Sequence, residues 1–265
     1  MRGRLGGRRR IVTLVRVPAA VLVVAVALCG ALRAQGPAPP GAGNVGVTSG
    51  DIEHTVARLV NGRLVAAAPC VAAEGPLDAA LDWRVTATGP HQVMLPRQIQ
   101  VGSADWNRVA PRLLALADRR EPELRLAAKS TSTVPRFLDW VFVGDARGDP
   151  RYYFETSRRI PSPPVDPDTA DTDPPGTLRI AVSGFARIDS KGATPLGTKG
   201  ELRWEEDGRP RGPIRPDLRP LGIVLTATDV VWVMEGRTPA ASTVSLFSVG
   251  ARGTTLLVTT RIGRC

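Results

Sequence analysis

The sequence predicts a mainly β protein of antiparallel sheets, sandwich-like or barrel-like, with one covering α-helix near residues 103–120. Three observations carry this. Short runs of β-branched and aromatic residues recur between Gly and Pro breakers along most of the chain. One of them, Asp139 to Thr156, holds the apolar run Trp140-Val-Phe-Val143, a tight acidic connection and the aromatic run Tyr152-Tyr-Phe154, the pattern of strand, turn and strand. Only Ser103 to Arg120 carries apolar residues at helical spacing over more than three turns.

In chain order, residues 1–34 read as a signal peptide or N-terminal anchor. An Arg-rich start precedes an apolar run from Val17 to Leu32, broken only by Pro18, and Ala31-Leu-Arg-Ala34 offers a cleavage site. Its most apolar part, Ala19 to Leu28, is short for a spanning helix, which needs about 20 apolar residues. Cleavage near Ala34 is expected; an uncleaved anchor remains the alternative. Either outcome puts the body outside the cytoplasm, secreted or periplasmic, or anchored and facing outward. Residues 35–50, rich in Gly, Pro and Ala, read as a flexible linker.

An N-terminal β-rich part with the helix should span 51–130. Asn61-Gly62 between two apolar runs signals a two-residue hairpin, although Ile52, Val56, Leu59 and Val60 would also share a helical face. Trp83 to Thr88, His91 to Leu95 and Gln98 to Val101 are short strand-like pieces. In the helix Ser103 can cap, Asp105 complements the positive end, and Trp106, Val109, Leu113 and Leu116 share a face. Pro111 is a possible kink.

Residues 131–265 read as the C-terminal β part. Within it, 160–176 holds six prolines and the aspartates Asp166, Asp168, Asp171 and Asp173, a mobile acidic loop by composition. Thr177 to Asp189 and Thr243 to Thr259 can be laid over each other, which suggests a degenerate internal repeat. Glu201 to Pro220, polar and rich in Gly and Pro, reads as a connection.

The connection Gly144-Asp-Ala-Arg-Gly-Asp-Pro150 resembles a decayed form of the Gly-Asp-x-Asp-Gly-Asp-Gly loop of FG-GAP or VCBS-type repeats, calcium-loop modules of secreted and cell-surface proteins. The resemblance implies carboxylates at alternate positions converging on a hard cation that takes about six to eight oxygens. Asp145 and Asp149 match two acidic positions, but Arg147 stands where the middle carboxylate belongs. Pro150 replaces a Gly, and Tyr153 falls where a further acid is expected. The expectation is a loop shape without strong metal binding: no cofactor, calcium being the one ion that could apply.

The net charge of +10 is concentrated at the start, where seven arginines precede residue 35; the remainder has 28 basic and 25 acidic residues, a balance of +3. That excludes the clustered basic stripe of a nucleic-acid binder. The two histidines, His54 and His91, stand far apart without a flanking motif, so no triad is legible. Gly192 to Lys199 superficially resembles a phosphate loop but has Lys and Thr in the wrong order. Arg147-Gly148-Asp149, an integrin-type tripeptide, reads as a chance match at a turn that needs its Gly. Cys29 leaves with the signal, and Cys70 with Cys265 reads as a disulfide in an oxidising compartment. By the chain-entropy account it stabilises by about 4 to 5 kcal/mol.

The functional reading is a non-enzymatic binding or structural module of the cell envelope. It would work through Asp145, Arg147 and Asp149 at the turn and Asp166, Asp168, Asp171 and Asp173 in the acidic loop, with an unidentified protein or envelope ligand as partner. No nucleic acid is implied, and membrane contact only through 1–34. The enzyme question stays open, the balance being against one. The alternatives are an exported hydrolase assembled from His91, Asp145 and Asp149, and a membrane-tethered accessory subunit.

Overall fold

A computed structural model describes residues 43–49, 52–60, 63–72, 83–89, 91–124, 134–146, 148–161, 176–206, 218–226, 228–238, 241–263 and 265. All belong to a unit running from Pro39 to Cys265. The elements are β1 (Asn44–Ser49), β2 (Ile52–Val60), β3 (Arg63–Ala66), β4 (Cys70–Ala72), β5 (Arg84–Ala87), β6 (Gln92–Met94), β7 (Arg97–Gln98) and α1 (Ala104–Glu123). They continue with β8 (Phe137–Ala146), β9 (Asp149–Pro161), β10 (Gly176–Asp189), β11 (Gly192–Glu206), β12 (Leu218–Leu225), β13 (Val230–Thr238), β14 (Ala241–Val249) and β15 (Thr254–Gly263).

The strands form three sheets, in the orders β3-β2-β1-β5, β11-β10-β9-β8-β7 and β4-β15-β14-β13-β12-β6. Every pairing is antiparallel except β15 with β4. The sheets stay open, so of the two architectures expected the sandwich is the one found.

Alternation of side chains across each strand stacks these sheets in layers. One face of the β8–β11 sheet sends Val141, Tyr152, Phe154, Ile180 and Val182 against Val109, Leu113, Leu116 and Ala117 of α1. Its other face sends Phe142, Tyr153, Phe185 and Leu196 against Ile223, Trp232, Met234 and Val249. The far face of the β12–β15 sheet packs Val231, Val233, Val244 and Leu246 on Val45, Val47, Val56 and Trp83. The order is therefore helix, sheet, sheet, sheet.

Val60 pairs with Arg63, which leaves Asn61-Gly62 as the two-residue hairpin connection; the helical alternative for 51–60 does not form. The helix begins with the Trp106 amide donating to Ser103 Oγ at 3.1 Å and continues through Pro111 to Glu123, a turn beyond expectation. The third short strand holds only Arg97–Gln98, because a turn closed by the Ser103 amide on the Gln100 carbonyl takes the rest.

Other expectations need correction. The flexible linker expected over 35–50 is strand β1 from Asn44 to Ser49, because Val45 and Val47 alternate into the core and are fully buried, while residues 1–34 lie outside the described residues. The acidic loop is narrower than 160–176, since Ile160 and Pro161 finish β9 and Gly176 opens β10, with Thr177 opposite Pro161. Pro161 is tolerated there because β8 pairs with β9 no further than Ser157, so no ladder donor is required on that side. Glu201 to Glu206 is strand rather than connection: these residues pair with Gly176–Ala181 of β10, and β11 is the edge strand of its sheet, where polar residues are tolerated. The proposed repeat also dissolves. Thr177 to Asp189 is a single strand, whereas Thr243 to Thr259 folds back at Gly250–Gly253 into β14 and β15. Alternating Val and Thr suits any half-buried strand, and this produced the likeness. What does recur is topology, four successive antiparallel strands in β8–β11 and again in β12–β15.

A candidate functional site beside the acidic hairpin

β8 and β9 pair with Phe142 opposite Tyr153, Gly144 opposite Arg151, Asp145 opposite Pro150 and Ala146 opposite Asp149. Two residues, 147 and 148, make the turn, and Gly148 takes φ 71°, left-handed backbone that suits Gly. Directly opposed residues share a face and neighbours alternate, so Asp145 and Asp149 project from opposite faces of the hairpin. They do not meet on one ion.

Asp149 is engaged instead by Arg151, whose two terminal nitrogens donate to both carboxylate oxygens. This hydrogen bonding holds the Asp149 carboxyl below the usual carboxylate range. The cation that answers Asp149 is thus Arg151, which is buried. Tyr153 is buried as well and donates its hydroxyl to Glu155 Oε1 at 2.6 Å. Arg147 and the four aspartates Asp166, Asp168, Asp171 and Asp173 lie outside the described residues.

The face bearing Asp145 opens onto a cleft of about 610 Å³. Val143, Asp145, Pro150 and Tyr152 of the hairpin form one wall, and Arg108, Val109 and Arg112 of α1 face them. Met94, Leu95 and Arg97 close one end, and Ile188 and Asp189 of β10 the other. Tyr152 is 6% exposed and Val109 2%, so the floor is apolar and built into the core under the helix.

Charge lies along the helix wall. Arg97 Nη2 donates to Asp105 Oδ2 at 2.7 Å, and Arg108 Nη2 donates to Oδ1 of the same carboxylate at 2.9 Å. Hydrogen bonding from Arg97, with the fields of both arginines, holds the Asp105 carboxyl low. Arg112 Nη1 donates to the main-chain carbonyl of Asp189 at 3.0 Å. Two guanidinium groups therefore share one carboxylate and a third rests on a neutral acceptor. Burial pushes the Tyr152 phenol up, so it stays protonated.

The residues of the hydrolase alternative are not brought together. Both ring nitrogens of His91 are buried without a hydrogen-bond partner among the described residues. Its ring lies so close to Gly43 that an added Cβ there would approach Nε2 to 2.6 Å. His54 sits against Trp83 with ring centroids 5.8 Å apart, and burial lowers its pKa. Among the described residues no three His, Cys, Asp or Glu side chains gather as a metal site would require, and no helix is long and apolar enough to cross a membrane. Cys70 and Cys265 are bonded, with S–S 2.04 Å and Cα–Cα 5.9 Å.

Sequence reasoning found Asp145 but missed Arg97, Arg108, Arg112, Tyr152 and Asp189. Arg108 and Arg112 were open to discovery as an i, i+4 pair on one helix face. Their meeting with Arg97 and Asp189 depends on tertiary packing. No protein-family model, curated protein or solved structure matches this chain.

Proposed function

We propose that the chain is an exported, non-enzymatic binding module of the cell envelope that takes its ligand in the cleft between the β8–β9 hairpin and the first half of α1. The observation that carries this reading is the cleft itself: about 610 Å³, within the range of small-molecule sites, with buried apolar side chains at its base and the charged side chains of Arg97, Arg108, Arg112, Asp145 and Asp189 around it. The Cys70–Cys265 bond supports export, because disulfides persist in oxidising compartments. The apolar N-terminal run supports it independently.

Two experiments test the reading. A fragment screen followed by chemical-shift mapping is expected to gather hits at Val143, Tyr152 and Val109; hits confined to other surfaces would overturn the assignment of the cleft. N-terminal sequencing of protein recovered outside the cytoplasm is expected to begin near Gln35, and retention in the cytoplasm would overturn the export.

A further inference from the structure

We infer that the cleft selects an amphiphilic organic anion, a hydrocarbon chain or ring bearing one carboxylate or phosphate. This rests on the cleft being the binding site, as proposed above, and adds the chemistry of its ligand. The helix wall has an excess of positive charge. Among the described residues, Arg97 and Arg108 together face the carboxylate of Asp105, and Arg112 donates to the Asp189 carbonyl. The Asp189 carboxylate accepts from the Lys191 amide at 2.8 Å and stands 3.7 Å from Arg187.

Each guanidinium has five N–H donors in a planar fork, so most remain available for a carboxylate or phosphate. Arg108 and Arg112 are one helical turn apart on the helix wall, and Arg97, at the end of the cleft, reaches the carboxylate that Arg108 reaches, so the three stand side by side. Apolar surface adjoins this wall. Leu95, which lines the cleft, is 77% exposed and offers a large aliphatic side chain to a bound molecule. An anion without a hydrocarbon part would leave Leu95 and the half-buried Val143 uncovered. A neutral hydrocarbon would leave the excess charge unanswered. Asp145, exposed on the opposite lip, opposes an anion and sets its orientation, head toward the helix and tail toward the hairpin.

The test is calorimetric titration of the protein as recovered from its producing cells with five probes below their micellar concentrations: decanoate, decyl phosphate, decanol, acetate and inorganic phosphate. Decanoate and decyl phosphate are expected to bind at least about tenfold more tightly than the other three, and less tightly as salt is raised. Arg108→Gln and Leu95→Ser should each weaken decanoate about tenfold, the first through the head and the second through the tail. Asp145→Asn should tighten it several-fold. Leu95 and Asp145 are exposed, so their variants remain folded and keep the test valid if Arg108→Gln does not. Decanol binding as tightly as decanoate would overturn the role of charge, and phosphate binding as tightly as decyl phosphate would reduce the site to a simple anion site. Either result overturns the inference while leaving the cleft as a binding site. Absence of binding by all five overturns the inference alone, since the fragment screen decides separately whether the cleft binds anything.

Discussion

The two sheets at the centre of the molecule have the same four-strand topology but are covered in different ways. The β12–β15 sheet is covered by Val45, Val47, Val56, Trp83 and Val85 of the first sheet, an almost wholly apolar seam. A covalent tie joins β4 to the β15 edge beside it. The β8–β11 sheet is covered by α1, and there the seam is polar at one end. Arg136, with its side chain 2% exposed, donates from Nε to Asp118 Oδ1 at 2.9 Å and pairs with Glu121. Arg158 pairs with the same two acids and donates to the Val134 carbonyl at 2.7 Å. The network fixes the C-terminal half of α1. The cleft lies beside its N-terminal half, lined there by Arg108, Val109 and Arg112. The lesson is that apolar complementarity closes a seam along its whole length, whereas a network anchored at one end leaves room for a site at the other.

The largest expected effect falls on the covalent side. The bond spans a sequence separation of 195, which by the chain-entropy account corresponds to about 5 kcal/mol. Cys70→Ser with Cys265→Ser should therefore lower the free energy of unfolding by that order, measured in urea without reductant. The cleft should keep its geometry, since none of its walls lies in β4 or β15. Loss of ligand binding in the folded double variant would break the separation between the two regions.

Next comes the polar seam. Arg136→Ala removes one of the two guanidinium partners of Glu121, itself 4% exposed, Arg158 being the other, and should cost about 3 kcal/mol in the same assay. Burial works against the charge of Arg136, and the hydrogen bond to Asp118 works for it. If this pair adds position rather than stability, Arg136→Met with Glu121→Met should regain at least half of the loss. A double variant no better than the single one would show that the ions themselves hold the helix.

A third effect tests the contact between the two sheets. Gly144 faces the β12–β15 sheet so closely that an added Cβ would lie 2.1 Å from Ile223 Cδ1 and 2.8 Å from Trp232 Cζ2. Gly144→Ala should cost about 1 to 3 kcal/mol by overpacking, read as a lower melting temperature with unchanged far-ultraviolet circular dichroism. Notably, this glycine was legible only as a strand breaker. Its role depends on Trp232, some ninety residues later, and no local pattern announces such an approach. The same division holds through the chain. Asn61-Gly62, the Ser103 cap and the two runs around the β8–β9 turn are local signals, and each was read correctly because the physics that decides it lies within a few residues. Glu201 to Glu206 looked like a connection because an edge strand can expose both its polar side chains and its ladder. Arg97 and Asp189 carried no signal, since what gives them meaning is the packing of β7 and β10 around one end of the helix.

The smallest expected effect concerns acid, and its sign follows from which form the fold favours. Arg151 stabilises the ionised Asp149, so the folded-state pKa lies below the unfolded one. The stabilisation is therefore complete above the unfolded carboxylate range and fades as the pH falls through the folded value. Asp149 is half exposed, with its side chain 52% accessible against 6% for Arg151, so solvent screens the pair and about 1 kcal/mol is expected. Asp149→Asn should lower stability by that amount at neutral pH and make little difference near pH 2, so that the two unfolding curves converge in acid. Equal displacement of the curves at both pH values would mean that the carboxamide fails by shape rather than by charge. Arg151 would then be a packing element of the sheet interface, and the turn would owe its form to Gly148 alone.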